Sequence, residues 1–131
     1  MKGVNTLLEF KDVKWQLPSG EPIIKGISCK LDSRLTVITG PNGGGKPSLA
    51  KLIAGVEKPT SGRIILDGTD ITDTDITGRA KLGVAYAFQQ PVRFKGLTVR
   101  DLLELAAGGK LGHDELCALL GKVGLCAEEY I

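Results

Sequence analysis

Near the N-terminus Val13, Trp15 and Leu17 are separated by Lys14 and Gln16, a period of two, so Leu7–Leu17 is expected as a strand. The cluster Leu17-Pro18-Ser19-Gly20-Glu21-Pro22 signals a turn, and Ile23–Leu31 follows as a second strand with Ile27, Cys29 and Leu31 on one face. Two strands joined by so short a turn imply a hairpin. Arg34–Thr39, carrying Leu35, Val37 and Ile38, is expected as a third strand, and from about Pro47 to Val56 the apolar spacing becomes helical. Arg63–Leu66 reads as a short strand closed by the tight-turn dipeptide Asp67-Gly68, with Thr69–Ile71 able to pair back. A short helix is expected over Ile76–Leu82, and the apolar run Gly83–Phe88 has the length of a buried strand. Gln89-Gln90-Pro91 stops that run. Thr98-Val99-Arg100-Asp101 has capping-box form, with Asp in place of the usual Glu, and opens a helical stripe of Leu102, Leu103, Leu105 and Ala106. Gly108-Gly109 breaks it. His113 then opens a last helix, with Leu116, Leu119, Leu120 and Val123 at helical spacing.

The stretch around which these elements are organised is Thr36–Ser48, TVITGPNGGGKPS. An apolar strand runs into a glycine loop that ends in a lysine and opens a helix, which is the context of a phosphate-binding P-loop. Gly40, Gly43, Gly44 and Gly45 let the backbone turn its N–H groups inward around an anion, and Pro41 and Asn42 complete the loop. The helix N-terminus adds partial positive charge and Lys46 a full one. Gly40, Gly45 and Lys46 satisfy G-x-x-x-x-G-K, but the Ser or Thr that should follow is Pro47. That proline lacks the hydroxyl that would hold Mg²⁺ and also lacks a backbone N–H. Ser48 comes one residue late, about 100° further round the helix.

Composition narrows the function classes. With 42% apolar and 24% charged residues in 131, the chain can bury the core of one small domain. A net charge of +2 gives no argument for nucleic acid, and no apolar run reaches the length of a membrane span. The N-terminal segment has no signal-peptide pattern. Cys29, Cys117 and Cys126 form no C-x-x-C pair and are expected as buried free thiols. Asp70, Asp73 and Asp75 lack the glycine and terminal Glu of a calcium loop and read as a solvated turn. His113, the only histidine, reads as an exposed residue of a first helical turn.

GPNGGGKPSLAKLIAG, followed by KPTSGRIILDGTDIT and GVAYAFQQP, resembles the first half of an ATP-binding cassette (ABC) ATPase domain, and the order of these segments carries the resemblance. It implies an α/β fold: a P-loop NTPase, RecA-like core with an antiparallel β subdomain, truncated in the helical subdomain. Residues 1–131 would be a partial ATP-binding domain, with 1–97 the nucleotide-binding core and β subdomain and 98–131 the start of the helical subdomain. By the same resemblance, Gly40, Pro41, Asn42, Gly43, Gly44, Gly45, Lys46, Pro47 and Ser48 would form the Walker A loop. Lys46 would sit on the β- and γ-phosphates and Ser48 on the α-phosphate. Gln89 matches the Q-loop glutamine that contacts Mg²⁺ or water and couples the nucleotide to a partner, and Gln90 is its weaker neighbour. Trp15 falls where the family places an aromatic on the adenine; its own pattern fits a core residue on the Val13/Leu17 face equally well.

AFQQPVRFKGLTVRDLLELA and GLCAEEY are similar, more narrowly, to the cytosolic ATPases of Suf-type iron–sulfur cluster assembly. The resemblance implies ATP and Mg²⁺ as cofactors, a cytoplasmic location, and as partners a second ATPase subunit with either soluble Suf assembly proteins or a membrane permease. No LSGGQ-like signature, no apolar strand ending in Asp-Glu and no switch histidine is present. The sequence thus reads as an N-terminal half that would not hydrolyse ATP alone. Three functions compete: a Suf-type ATP-binding subunit, the ATP-binding subunit of a membrane transporter, and a nucleotide-independent binding remnant.

Overall fold

The computed structural model describes residues 6–90, 92–125 and 128. The chain divides into two units, residues 1–87 and 88–131. In the first, β1 (Leu8–Gln16) and β2 (Pro22–Leu31) form the hairpin, α1 (Lys46–Ala54) follows the glycine loop, and β3 (Ser61–Leu66), β4 (Thr69–Asp70) and α2 (Ile76–Lys81) complete it. The sheet runs β2-β1-β3-β4, with every pairing antiparallel.

The core has two layers. Phe10, Val13, Ile24, Ile64 and Ile71 are buried together with Leu49 and Leu52 of α1. Leu49 and Leu52 lie three apart on the helix, so one face enters the core. Phe10 and Val13 are three apart on a strand, a spacing that simple alternation forbids. A bulge at Lys11–Asp12 resolves this: the register with β2 shifts between Phe10 and Val13, and that with β3 between Lys11 and Lys14. Asp12 takes a left-handed φ of 45°, and its N–H donates to Ser28 Oγ at 2.9 Å. Gly62 of β3 passes the bulge so closely that a Cβ there would lie 2.3 Å from Asp12 O. Only glycine fits. Asp67, with φ 48°, and Gly68, with φ 82°, form the expected tight turn between β3 and β4.

The structure departs from the sequence expectations at three places. Arg34–Thr39 joins no strand among the described residues, and Leu35 and Val37 are 82% and 73% exposed. Gly83–Phe88 likewise forms no strand, and Phe88 is 57% exposed. Both runs have the composition of strands covered on two faces, and such strands need hydrogen-bonding neighbours as well as apolar side chains. Neither run is a strand of the described sheet, whose order is β2-β1-β3-β4. Cys29, expected as a buried thiol, is exposed on β2; Cys117 is half-buried, and Cys126 lies outside the described residues.

In the second unit, α3 (Val99–Ala107) begins with the capping box: Asp101 N–H donates to Thr98 Oγ1 at 3.1 Å, and Thr98 N–H to Asp101 Oδ2 at 2.8 Å. Leu105 of the expected stripe is 76% exposed. In α4 (His113–Gly121), Leu116 and Leu120 are buried, and His113 is exposed in the first turn.

Candidate functional site

The loop that enters α1 is built around its glycines and its lysine. Gly45 is the N-cap in a left-handed conformation, φ 78°, and a Cβ there would stand 3.0 Å from Ile23 Cγ2 of β2. Backbone and packing both require glycine there. Gly44 N–H donates to Pro41 O at 3.1 Å and tightens the turn over Pro41 and Asn42. Lys46 folds back so that Nζ donates to Gly40 O at 2.6 Å and Pro41 O at 2.7 Å. The ammonium is thereby fixed at the loop, with one of its three N–H donors still available.

The first helical bond of α1 runs from Leu49 N–H to Gly45 O at 2.9 Å. The N–H groups of Lys46 and Ser48 therefore precede the helical ladder, as do the first donors of any helix. Pro47, between them, has no N–H to offer and stands exposed in the first turn. No acidic side chain occupies that turn, so the helix N-terminus and Lys46 are locally unopposed positive charge. This arrangement is chemically suited to an anion with several oxygens.

Trp15 approaches this loop through one intermediary. Ile24 is its partner across the β1–β2 register, and Ile24 Cγ1 lies 3.5 Å from where a Cβ of Gly45 would be. The indole is half-buried: it packs against the core and also lines a concavity of about 270 Å³ with Gln16, Lys25 and Thr60. Trp15 thus packs against the core on one side, as one sequence reading expected, and is accessible on the other. Gln89 sits on an exposed bend of the second unit, whereas the loop and Trp15 belong to the first.

A Mg²⁺ site needs oxygen ligands. Pro47 brings no oxygen to the position where a P-loop hydroxyl ligates the metal. Between Asp32 and Glu57 the chain contains no Asp or Glu. Among the described residues no group of three or more His, Cys, Asp or Glu side chains converges as a metal site. The first-unit site does not fit the ion.

Sequence reasoning missed Arg79. It is 0% exposed on α2, a helix whose N-cap Asp75 accepts Gly78 N–H at 2.8 Å. Its Nε donates to Thr74 O at 2.9 Å, Nη2 to Thr72 O at 3.0 Å, and Nη1 to Ile53 O at 3.0 Å and also to Leu52 O. Leu52 and Ile53 lie in the last turn of α1, so one guanidinium caps the phosphate-loop helix and ties it to the turn before α2. Burial pushes its pKa below the ordinary arginine value. No sequence signal separates this arginine from an exposed one: its neighbours Gly78, Ala80 and Lys81 carry no apolar period.

The structure thus joins a glycine loop, with Lys46 seated on its own carbonyls, to a helix beside an antiparallel sheet. Residues 24–128 match the ABC transporter family. An uncharacterised ABC transporter ATP-binding protein of Methanocaldococcus jannaschii is 43% identical over 96 residues, covering 71% of this chain and 38% of that protein. The mycobactin import ATP-binding/permease protein IrtB of Mycolicibacterium thermoresistibile is 40% identical over 100 residues, covering 76% of this chain and 17% of that one. A solved nucleotide-free ATP-binding cassette from an ABC transporter superposes with a TM-score of 0.68 at 26% identity, covering 86% of this chain and 46% of that one. The chain belongs to the ABC transporter family, and its fold is that of a partial ABC ATPase domain. The match spans well under two thirds of these relatives' lengths.

Proposed function

We propose that this chain is the nucleotide-holding part of the ATP-binding subunit of an ABC transporter. The polyphosphate of ATP lies in the loop Gly40–Lys46, against the N-terminus of α1. Trp15 stacks on the adenine. Gln89 relays occupancy to a partner, in the assembled transporter a membrane permease with a second ATPase subunit, which places this chain at the cytoplasmic face of the membrane. The observation that carries the reading is Lys46 Nζ held by Gly40 O and Pro41 O at the mouth of α1. The lysine is already ordered there, so little side-chain entropy remains to be lost when an anion arrives. The names of the relatives favour a transporter. The Suf-type assembly reading, with its soluble partners, draws no comparable support from them.

The chain alone holds its nucleotide without hydrolysing it, because its sequence contains no apolar strand ending in Asp-Glu to orient an attacking water. Trp15 is the only tryptophan, so its fluorescence reports on the site directly. ATP is expected to quench it saturably, and pyrophosphate to compete. Lys46→Ala removes one charged donor and weakens ATP binding by roughly ten- to a hundredfold. Absence of saturable ATP binding by the folded chain sinks the reading and leaves a nucleotide-independent binding role. Phosphate release that Lys46→Ala abolishes sinks the claim about hydrolysis.

A further inference from the structure

We infer that the loop takes its polyphosphate as the metal-free anion, and that Pro47 is the residue that decides this. The inference rests on the nucleotide reading above and specifies the ligand's chemical form. In a P-loop the residue after the lysine does two things: its N–H donates to a phosphate, and its hydroxyl ligates the Mg²⁺ that bridges phosphate oxygens. Pro47 does neither. Its ring is accommodated without distortion, since α1 runs regularly from Lys46 to Ala54 and makes its first ladder bond at Leu49. The fold of the cradle is therefore kept while its metal position is lost.

The stretch of chain around the loop, residues 33–56, supplies no carboxylate to substitute for the missing hydroxyl. Ser48 is the next hydroxyl, but one residue along a helix turns the side chain by about 100°. Carboxylates are missing from the whole stretch between Asp32 and Glu57, which contains Arg34, Lys46 and Lys51. What remains is positive throughout: the free donor of Lys46, the N–H groups of Lys46 and Ser48, and the helix N-terminus. Such a site is attracted most strongly to the full phosphate charge. A divalent cation on the phosphates neutralises the charge that the loop recognises and finds no protein ligand in exchange. Mg²⁺ consequently gives no gain in affinity here.

The test is calorimetric titration of ATP, in EDTA and in excess Mg²⁺, into the wild-type chain and into Pro47→Ser, with circular dichroism to confirm folding. The wild type is expected to bind ATP at least as tightly in EDTA as in Mg²⁺. Pro47→Ser is expected to gain roughly tenfold or more from Mg²⁺, the value of one recovered charge-assisted contact. If Pro47→Ser does not fold, Pro47→Thr takes its place. A wild type that gains from Mg²⁺ overturns the inference and leaves the nucleotide reading standing. Binding by both proteins with no gain in either shows that Pro47 is not the cause and also overturns it. Failure of both folded proteins to bind overturns the nucleotide reading itself, and binding by the variant alone shows that Pro47 disables the cradle rather than selecting its ligand.

Discussion

Removing the guanidinium of Arg79 should loosen the phosphate loop from behind. Arg79→Met keeps much of the apolar stem and deletes the donors to the carbonyls of Leu52, Ile53, Thr72 and Thr74. An orphaned buried carbonyl costs about 1–3 kcal/mol, and water can enter the vacated space, so the lower value applies. Leu52 O keeps the Gly55 N–H, so three carbonyls at about 1 kcal/mol each give a loss of about 3 kcal/mol. That is a large part of the ~5–15 kcal/mol that holds a domain together. Arg79→Lys keeps a charge and three donors and should recover about half of the loss. The assay is urea unfolding followed through Trp15, which lies on β1 of the same unit as Arg79. A loss below about 1 kcal/mol for Arg79→Met, the scale of one ordinary hydrogen bond, would refute the reasoning. A Lys variant no better than Met would show that the carbonyl cap is not what matters.

Further outcomes follow from single residues. Gly45→Ala places a Cβ at φ 78° and 3.0 Å from Ile23 Cγ2; it should lower stability by about 1–2 kcal/mol, measured by urea unfolding, and weaken ATP binding in the Trp15 titration. Asp101 has its pKa held below the ordinary 3.8 by the Thr98 hydroxyl first and then by the Thr98 N–H. Its folded pKa is the lower one, so its contribution is fully present above 3.8 and is lost as pH falls through the folded value. Asp101→Asn should flatten that part of the acid limb in a pH series of α3 helicity, and an unchanged limb would remove the capping box from the account. Leu35→Lys alters a side chain that is 82% exposed; stability should move by less than about 0.5 kcal/mol while solubility rises, and a large loss in thermal unfolding would mean that Leu35 is packed.

The loop was legible because its chemistry is written in consecutive residues: the glycines, Lys46 and Pro47 act through their own backbone and their nearest neighbours. The Thr98–Asp101 cap and the Asp67-Gly68 turn were legible for the same reason, each closing within four residues. Arg79 was not, because its burial comes from partners at Leu52 and Ile53, 27 and 26 residues away. Trp15 was half legible. The pattern placed it on a strand, and only the register set it opposite Ile24, whose side chain approaches Gly45.

By itself, then, the sequence determined what local geometry can satisfy. Helices formed close to where the sequence was read as helical, at Lys46–Ala54, Ile76–Lys81, Val99–Ala107 and His113–Gly121, because a helix makes its hydrogen bonds within its own segment. Tertiary structure decided the strands. Leu8–Gln16 and Pro22–Leu31 found each other across a short turn, whereas Arg34–Thr39 and Gly83–Phe88 have equally apolar patterns and are not strands of the described sheet. A strand's hydrogen bonds all belong to its neighbours, and the sequence of one strand does not contain them. The Asp12 bulge is of the same kind: it lets Phe10 and Val13 both enter the core, and Gly62 leaves room for the backbone between them.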